Sequence, residues 1–258
     1  MKIYCINLKR AKERRDFQIG QAKRLNLDIT FVDAVDYHDI SKEELSQAAD
    51  CWTRPIAGKD VGCFRSHKSC WEIISQNTEP SMIIEDDIVF STDIKKSLDA
   101  IAAVPFPKNR VYDLEYSPSR HTLEVNPDWD IKAHTATRIY INKAGAGCYI
   151  LTPYVAAQLL GSIGSFAMVD SWLWTRPWIE QIQIEPCPAM QSLYFETHGD
   201  TSIPKSDEVH EIYAQTRYLK KKYLRVKLTI DQLKGGVLRG LIWGRKRNLK
   251  ISLKSFSS

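Results

Sequence analysis

Three consecutive carboxylates, Glu85, Asp86 and Asp87, follow an apolar run at residues 82–84. The run predicts a buried strand that ends at the acids. At the carboxyl end of a buried parallel strand, carboxylates lie at the sheet edge where α/β proteins bind ligands. Hard oxygen ligands suit Mg²⁺ or Mn²⁺, and either ion bridges phosphate oxygens. The local pattern fits two interpretations: a metal site for a phosphorylated ligand, or an acidic exit from a strand into solvent.

Two common phosphate-binding motifs are absent from the sequence. No G-x-G-x-x-G follows the first apolar run, and no G-x-x-x-x-G-K-[ST] occurs. Their absence argues against dinucleotide-dependent oxidoreductases and P-loop enzymes. A nucleotide diphosphate held by carboxylates and a metal ion remains compatible with the sequence.

The elements that must position the acids alternate along the first half of the chain. Strands are predicted at residues 2–8, 28–35 and 81–84, helices at residues 10–25, 41–49 and 64–74, and a loop at residues 50–61. Ser41, with Glu44 three residues later, has the capping-box pattern of a helix start. This alternation is typical of an α/β protein with a doubly wound, parallel sheet.

The second half of the chain is less regular. Strands are predicted at residues 110–116, 145–151 and 182–188. Between them, Thr152 and Pro153 have the residue types of a helix cap and a first helical position.

Length and composition are those of a soluble globular chain. Of the 258 residues, 43% are hydrophobic and 26% are charged. No apolar run reaches the roughly 18 residues of a membrane span. The six cysteines contain no C-x-x-C pair, so we expect reduced core residues. The N-terminus lacks the pattern of a secretory signal, which predicts a cytoplasmic location.

The charge is divided unevenly. Residues 217–258 contain thirteen Lys and Arg and a single acid, Asp231, whereas residues 1–216 carry a net charge of −7. We therefore predict one domain over residues 1–216 and a basic helical tail over residues 217–258. Such a tail favours an anionic partner. Its alternative is a solvated helical pair packed on the domain.

Four ordered blocks resemble glycosyltransferase family 25, which includes bacterial lipooligosaccharide glycosyltransferases and procollagen galactosyltransferases. They are INLKRAKERR at residues 6–15, AVD at 34–36, G-C-F-R-S-H-x-x-x-W at 62–71 and I-I-E-D-D at 83–87. Weaker blocks lie at residues 147–152, 169–174 and 188–203, so the resemblance covers roughly residues 1–204. It implies a GT-A-like single domain with a mixed, mainly parallel sheet. It also implies a UDP-sugar donor, inversion at the anomeric carbon and a divalent metal, Mn²⁺ or Mg²⁺.

The resemblance assigns the metal to the acidic block. Glu85 and Asp87 match the metal-binding acids, because alternate residues share one side of a strand. His198, with Asp200, lies late enough to complete the metal's ligands. Asp86 and Gln191 are assigned to the donor.

The first three blocks supply the remaining donor contacts. Asn7, Arg10 and Arg14 match the first block, where an arginine can pair with diphosphate oxygens. For Arg14 the alternative is a solvated helix face. Asp36 either contacts uridine or caps a turn. Ser66 and His67 match a family pair placed by the donor; the alternative for His67 is a packed core histidine.

An inverting transfer needs a base near the acceptor hydroxyl, and a carboxylate with a suitable pKa is the usual choice. Asp170 matches the family's second acidic position and is the predicted base; alternatively it caps a helix over residues 171–175. We expect Trp172, Trp174 and Trp178 to form either a surface that stacks on the acceptor or a part of the hydrophobic core.

The resulting hypothesis is hexose transfer from UDP-galactose or UDP-glucose to a lipooligosaccharide or lipopolysaccharide core. The enzyme would lie on the anionic inner face of the inner membrane through its tail, next to a lipid-linked acceptor. One alternative is a metal-dependent nucleotidyltransferase or sugar-nucleotide hydrolase. Another is a nucleic-acid-binding protein led by the tail, which the net acidic body disfavours.

Overall fold

The computed structural model describes residues 1–127, 129–131, 134–142, 145–164, 166–196, 213–214 and 218–256. The first half contains β1 (Lys2–Asn7), α1 (Lys12–Leu25), β2 (Ile29–Asp33), α2 (Lys42–Ala49), β3 (Ile56–Ala57), α3 (Gly58–Ser75) and β4 (Ser81–Glu85). The predicted alternation of strands and helices is confirmed here. The predicted loop at residues 50–61 is wrong at its end, because β3 and the first turn of α3 occupy residues 56–61.

The second half contains more strands than the sequence predicts. Its elements up to residue 162 are β5 (Ile88–Phe90), α4 (Ile94–Ala102), β6 (Arg110–Asp113), β7 (Glu115–Tyr116), β8 (His121–Glu124), β9 (Trp129–Ile131), β10 (His134–Ile141), β11 (Cys148–Leu151) and α5 (Pro153–Ser162). They are followed by α6 (Val169–Leu173), β12 (Glu180–Glu185), β13 (Ala189–Gln191), α7 (Ser192–Glu196), β14 (Tyr213–Ala214), α8 (Tyr218–Gln232), α9 (Leu238–Trp243) and β15 (Gly244–Arg247).

Ten strands of the described chain form one mixed sheet. Its order is β15-β8-β10-β12-β6-β11-β4-β1-β2, with β9 also paired to β10. Within this sheet, the parallel pairs among the described residues are β1 with β2, β1 with β4, and β12 with β6. The α/β class is confirmed and fits the GT-A-like expectation in general terms. The expectation of a mainly parallel sheet is wrong, because β11 inserts antiparallel between β4 and β6.

The sheet is buried on both faces, as the continuous apolar runs of its central strands require. Alternate residues of β1 enter different cores: Tyr4 and Ile6 pack with α3 and α5, whereas Ile3 and Cys5 pack with α4. Trp71 of α3 is fully buried in the first core. Burial of such a large side chain stabilises the fold by about 2–3 kcal/mol. The parallel strands β1 and β4 are thereby held side by side, with their carboxyl ends at one edge.

The predicted caps are present at the N-termini of α2 and α5. The Ser41 hydroxyl accepts a hydrogen bond from the Glu44 backbone N–H at 3.0 Å. The Thr152 hydroxyl accepts one from the Val155 N–H at 3.1 Å, and Pro153 occupies the first turn of α5. Each cap satisfies a backbone donor that the helix itself leaves unpaired.

A smaller sheet, β5-β13-β7, lies beside the acidic block. In it Gln191 pairs with Ile88, directly after the acids, and Ala189 pairs with Glu115. Two residues that lie far from the acids in sequence are therefore brought to them by strand pairing.

The basic tail is helical in α8 and α9 and then joins the main sheet as β15, antiparallel to β8. Arg247 of β15 makes an ion pair with Glu185, whose carboxylate is fully buried, and the Lys250 N–H also donates to it at 2.7 Å. The predicted domain boundary at residues 216 and 217 lies outside the described residues and stays a prediction. None of the described helices combines the length and the apolar character needed to span a bilayer.

Candidate active site

A cavity of about 350 Å³ opens at the carboxyl ends of β1 and β4, against α3. It is lined by Ile6, Leu8, Arg14, Ala34, Val35, Tyr37, Lys59, Asp60, Cys63, Ser66, His67, Glu85, Asp86 and Asp87. All three acids of the predicted motif are in this lining. This is the sheet edge at which the sequence predicts a ligand.

Asp86 is the buried member of the motif and is held from the side of α1. Asn7 Nδ2 donates to Asp86 Oδ2 at 2.8 Å, and Arg14 Nη1 lies 2.8 Å from Asp86 Oδ1. The Arg14 side chain is only 14% exposed. The alternative prediction, that Arg14 lies on a solvated helix face, is therefore wrong. Asn7 and Asp86 thus form a polar support that directs Arg14 into the cavity lining, and their contact with the donor stays a prediction.

Glu85 is half-buried and held by α3. His67 Nε2 lies 3.2 Å from Glu85 Oε1, and His67 Nδ1 lies 3.0 Å from the Tyr149 hydroxyl. Because Trp71 donates to Tyr149, the Tyr149 proton is directed at Nδ1, which leaves Nε2–H to donate to Glu85. Burial opposes the charged form of Glu85, but the hydrogen bond from His67 prevails and lowers its pKa.

The alternative of a packed core histidine is confirmed for His67, and its place by the donor stays a prediction. It is buried at 1% exposure within the core, and it also touches an acid of the motif. Its position indicates a role in orienting Glu85.

Asp87 has a carboxylate without a complete set of partners. Its Oδ1 is buried and accepts no hydrogen bond from any described residue. Burial, reinforced by the charges of Glu85 and Asp86, raises the pKa of Asp87 to about 7. A divalent cation would satisfy that oxygen and offset the repulsion between the acids. The donor set of Glu85 and Asp87 therefore fits a hard metal ion.

A second grouping of donors overlaps this one. Cys63 Sγ, His67 Nε2 and Glu85 Oε1 lie within 4.8 Å of one another. Sulfur and imidazole donors suit softer ions such as Zn²⁺. Coordination by His67 would require the other tautomer, which would leave the buried Tyr149 proton without its acceptor. The carboxylate oxygens are the donors that fit Mn²⁺ or Mg²⁺, and the metal stays a prediction. The predicted ligand His198, and Asp200, lie outside the described residues.

The loop after β2 is fixed by two of the predicted donor residues. Asp36 accepts from the His38 N–H at 3.1 Å as the cap of a short helical turn, and Arg10 Nε donates to it at 2.6 Å. Burial opposes its ionisation, but these hydrogen bonds lower the pKa of Asp36 to about 2. The alternative prediction that Asp36 caps a turn is thus confirmed. Arg10 stabilises that turn through its hydrogen bond to Asp36.

Ser66 holds the same loop from α3. Its hydroxyl accepts from the Val35 N–H at 2.9 Å and donates to the Gly62 carbonyl at 2.7 Å. A Cβ at Gly62 would lie 2.7 Å from the Val35 carbonyl oxygen, so only glycine permits this close approach. The G-x-x-x-S spacing in the third block therefore fixes the wall of the cavity.

Asp170 lies near the cavity and outside its lining. Its Oδ1 accepts from the Ser171 N–H at 2.6 Å, but α6 begins at Val169 with Met168 as the cap residue. The alternative that Asp170 caps a helix over 171–175 is thus wrong in its position. Burial, then the charge of Glu85 and then that of Asp170 raise the pKa of the Cys63 thiol, so Asp170 lies close enough to the site for its charge to act there.

The tryptophans near Asp170 belong to the core. Trp174 is 3% exposed and donates to the Gly145 carbonyl at 2.5 Å. Trp172 and Trp178 are half-buried and pack against the same core.

Several lining residues were missed by the sequence analysis. Tyr37 follows the second block, and Lys59, Asp60 and Cys63 lie on the first two turns of α3. The sequence contained a pattern that could have identified them. Residues 59, 63 and 66–67 follow helical spacing, which extends the predicted helix towards its N-terminus into the predicted loop. Cys63, expected to be a core residue, lies in the cavity lining with part of its surface exposed, and none of the six thiols forms a disulfide.

Glu115 was also missed. Its Oε2 accepts from the Gly147 N–H at 2.7 Å, and a Cβ at Gly145 would lie 2.8 Å from the same oxygen. Gly147 is in turn close to Gln191 Nε2, which lies 3.4 Å from its Cβ position. Gln191 thus lies next to the strand that follows the acids but outside the cavity lining, and its predicted contact with the donor stays a prediction.

Comparison with known proteins gives a family match over this region. The model named glycosyltransferase family 25 (LPS biosynthesis protein) matches residues 1–173. A glycosyltransferase 25 family member of Aedes aegypti is 32% identical over 145 residues, 52% of this chain and 23% of that protein. Procollagen galactosyltransferase 2 of Homo sapiens is 34% identical over 106 residues, 37% of this chain and 17% of that protein.

These relatives are longer than this chain, and their names differ in the activity that they state. The chain spans a quarter or less of the length of these two relatives. Proteins named inactive or probable inactive family members, from mouse and rat, also match. Among solved structures, an inositol-1-phosphate CTP transferase from T. maritima superposes over 92% of this chain and 97% of that chain, with a TM-score of 0.29 and 13% identity, too weak to support an argument. The match over residues 1–173, more than half of the chain, shows that this protein belongs to glycosyltransferase family 25.

Proposed function

We propose that this protein is a glycosyltransferase that moves a hexose from a UDP-sugar to a saccharide acceptor with inversion. One observation carries the proposal: Glu85 and Asp87 line a cavity at the carboxyl ends of β1 and β4, and Asp87 Oδ1 is buried without a hydrogen bond from the described chain. An oxygen in that state suits a metal ion that holds a diphosphate. Family membership makes a sugar nucleotide the natural diphosphate.

The chain's own residues divide the work at the site. Glu85 and Asp87 would hold Mn²⁺ or Mg²⁺, which as a Lewis acid neutralises charge on the departing UDP. His67 keeps Glu85 ionised and oriented. Arg14, held by Asp86, and Lys59 add positive charge to the lining, where phosphate oxygens would lie.

For the donor sugar we propose galactose or glucose, and for the acceptor a lipid-linked lipooligosaccharide or lipopolysaccharide core. The name of the human relative supports galactose, and the description of the family model supports the lipopolysaccharide acceptor.

The proposed function is tested with a panel of UDP-sugars, with and without Mn²⁺. We expect UDP-galactose or UDP-glucose to raise Tm more with Mn²⁺ than without it, and product analysis to show slow UDP release until a core acceptor is added. Rapid, acceptor-independent release of UDP or of sugar phosphate would instead identify a hydrolase or nucleotidyltransferase. Absence of any sugar-nucleotide binding would contradict the proposal.

We further propose Asp170 as the base that accepts the proton of the acceptor hydroxyl. Asp170→Asn should lower kcat by about 10²–10⁴-fold, the usual contribution of a general base, and leave UDP binding unchanged. The matched control is Asp16→Asn, at an exposed position of α1. Transfer at a near-normal rate by the Asp170→Asn protein would remove Asp170 from this role.

A further inference from the structure

Helix α9 packs on the domain through Gly240 and through the glycines that precede and follow the helix. Gly236, Gly240 and Gly244 recur every fourth residue. A Cβ at Gly240 would lie 2.8 Å from Tyr140 Cβ, and one at Gly244 would lie 2.7 Å from Thr122 Cγ2. The close contact with β8 and β10 therefore depends on residues without side chains.

The large apolar residues of α9 face away from the domain. Leu238 is 59% exposed, Leu241 76%, Ile242 71% and Trp243 52%. This arrangement is the reverse of an ordinary surface helix, which buries its apolar stripe and exposes its small or polar residues. Contiguous exposed apolar residues of this kind mark an interaction surface.

Helix α8 has an outward apolar stripe of the same kind. Tyr223, Val226, Ile230 and Leu233 follow helical spacing and are all exposed, whereas Leu228, on another side of the helix, packs against the core. The exposed apolar residues of α8 and α9 together are called the tail surface below.

The charge around the tail surface is positive. Arg225, Lys227, Arg239, Arg245 and Lys246 are exposed in the same segment. Its single acid, Asp231, lies 3.2 Å from Arg176 of the domain and so contributes little negative charge to the surface. Arg247 is paired with Glu185 and belongs to the fold.

We propose that the tail surface binds the face of a bilayer that contains anionic lipids, with the apolar residues of α9 inserted at the level of the headgroups. Amphipathic basic helices bind membranes through buried apolar area and attraction to anionic lipid together. A nucleic acid would use the basic residues but leave the leucines exposed, and a second copy would bring two positive surfaces together. The proposal goes beyond the transfer reaction, since binding to vesicles needs neither a sugar nucleotide nor a metal.

The test is flotation of the full-length protein with vesicles of phosphatidylcholine alone and with vesicles containing 30% phosphatidylglycerol. We expect binding to the anionic vesicles only. Leu241→Glu/Ile242→Glu should abolish that binding. The matched control, Ile19→Glu/Ile73→Glu, makes the same changes at exposed positions of α1 and α3 and should retain it.

A second pair of variants keeps the apolar residues. Arg245→Gln/Lys246→Gln should weaken binding to anionic vesicles by roughly thirtyfold, since two basic residues near an anionic surface are lost. In addition, brominated lipid should quench Trp243 fluorescence, and this part of the quenching should be absent in Trp243→Phe. These readouts keep the test valid even if the double glutamate variant folds poorly.

Three results would overturn the proposal. They are equal flotation with neutral and anionic vesicles, equal flotation of the glutamate variant and its control, and no flotation at all. In the last case, a dimer that Leu241→Glu/Ile242→Glu converts to a monomer would identify the tail surface as a subunit interface. Salt-dependent binding to RNA without flotation would identify it as a nucleic-acid site.

Discussion

Two pairs of acids in this protein share one spacing and differ in their surroundings. Glu85 and Asp113 each end a buried strand, β4 and β6, and each is followed two residues later by a second acid, Asp87 or Glu115. Glu85 and Asp87 are half-buried and line the cavity, and Asp87 Oδ1 has no donor in the described chain. Asp113 and Glu115 are 2% and 3% exposed.

The interior pair is satisfied by neutral donors. Asp113 accepts from the Glu115 N–H at 3.0 Å and from Asn142 Nδ2 at 2.9 Å, and Glu115 accepts from the Gly147 N–H at 2.7 Å. Burial raises the pKa of Asp113 to about 8 and that of Glu115 well above its usual value, as it does for Asp87. A raised pKa therefore does not distinguish the two pairs. The pairs differ in that Glu85 and Asp87 line the cavity and Asp87 has an oxygen without a hydrogen bond from the described chain. This difference assigns ligand binding to Glu85 and Asp87, and structural support to Asp113 and Glu115.

The largest effect is expected from removing the charges of the cavity pair. Glu85→Gln/Asp87→Asn should lower the rate of the proposed hexose transfer by at least about a thousandfold, because metal stabilisation of the leaving diphosphate would be worth several kcal/mol. The rate is measured as acceptor-dependent UDP release. Asp113→Asn/Glu115→Gln is the matched control, and an equal loss of activity per folded molecule in that variant would erase the distinction between the pairs.

A smaller effect is expected at His67, which acts on the cavity pair through Glu85. His67→Ala should weaken Mn²⁺ binding by about 10–100-fold, as for other residues that orient a metal ligand. Isothermal titration calorimetry measures the affinity, and His67→Gln, which retains an N–H donor, should recover part of it. Unchanged affinity in His67→Ala would show that Glu85 needs no support.

Stability should respond at the interior pair. Glu115→Ala leaves the buried Gly147 N–H without an acceptor, which costs about 1–3 kcal/mol in the free energy of unfolding. Glu85→Ala leaves the His67 Nε2–H without its acceptor but also removes a charge that repels Asp87, so its net cost should be smaller. Urea unfolding without metal compares the two variants. A greater loss in Glu85→Ala than in Glu115→Ala would contradict the assignment.

The last effect is a change at Asp113 in how the free energy of unfolding depends on pH, and it is small at each step of pH. Its folded pKa of about 8 exceeds its unfolded value, so the stability it contributes is complete below about pH 4 and is lost as pH rises through about 8. Asp113→Asn should therefore make unfolding free energy less dependent on pH in this window, by at most about 1.4 kcal/mol per pH unit. Parallel curves for the two proteins would show that Asp113 is ionised throughout.

The sequence predicted the parts that depend on local patterns. The order β1-α1-β2, the caps at Ser41 and Thr152, and the position of the acids at the end of β4 all follow from residue types and spacing. The antiparallel insertion of β11 was missed, because an apolar run has the same pattern in parallel and antiparallel strands. Strand direction is decided by the connections, which short motifs do not encode.

The contacts of the site were predictable only in part. Alternation along a strand separated Glu85 and Asp87 from Asp86, and the structure has Asp86 buried. The contacts of Asp86 with Asn7 and Arg14 depend on the distance between β1 and β4, which the sequence does not give. Asp113 and Glu115 have the same spacing as Glu85 and Asp87, so their spacing did not predict that they are buried. Such differences are set by packing between elements distant in the chain.

The central claim is that Glu85 and Asp87 hold a metal ion against a nucleotide diphosphate. Crystals soaked with UDP and Mn²⁺ and measured for manganese anomalous scattering test it most directly. We predict a peak within about 2.6 Å of carboxylate oxygens of both residues, in contact with UDP phosphate oxygens. A peak at Cys63 and His67 instead, or bound UDP with no peak beside Asp87, would contradict it.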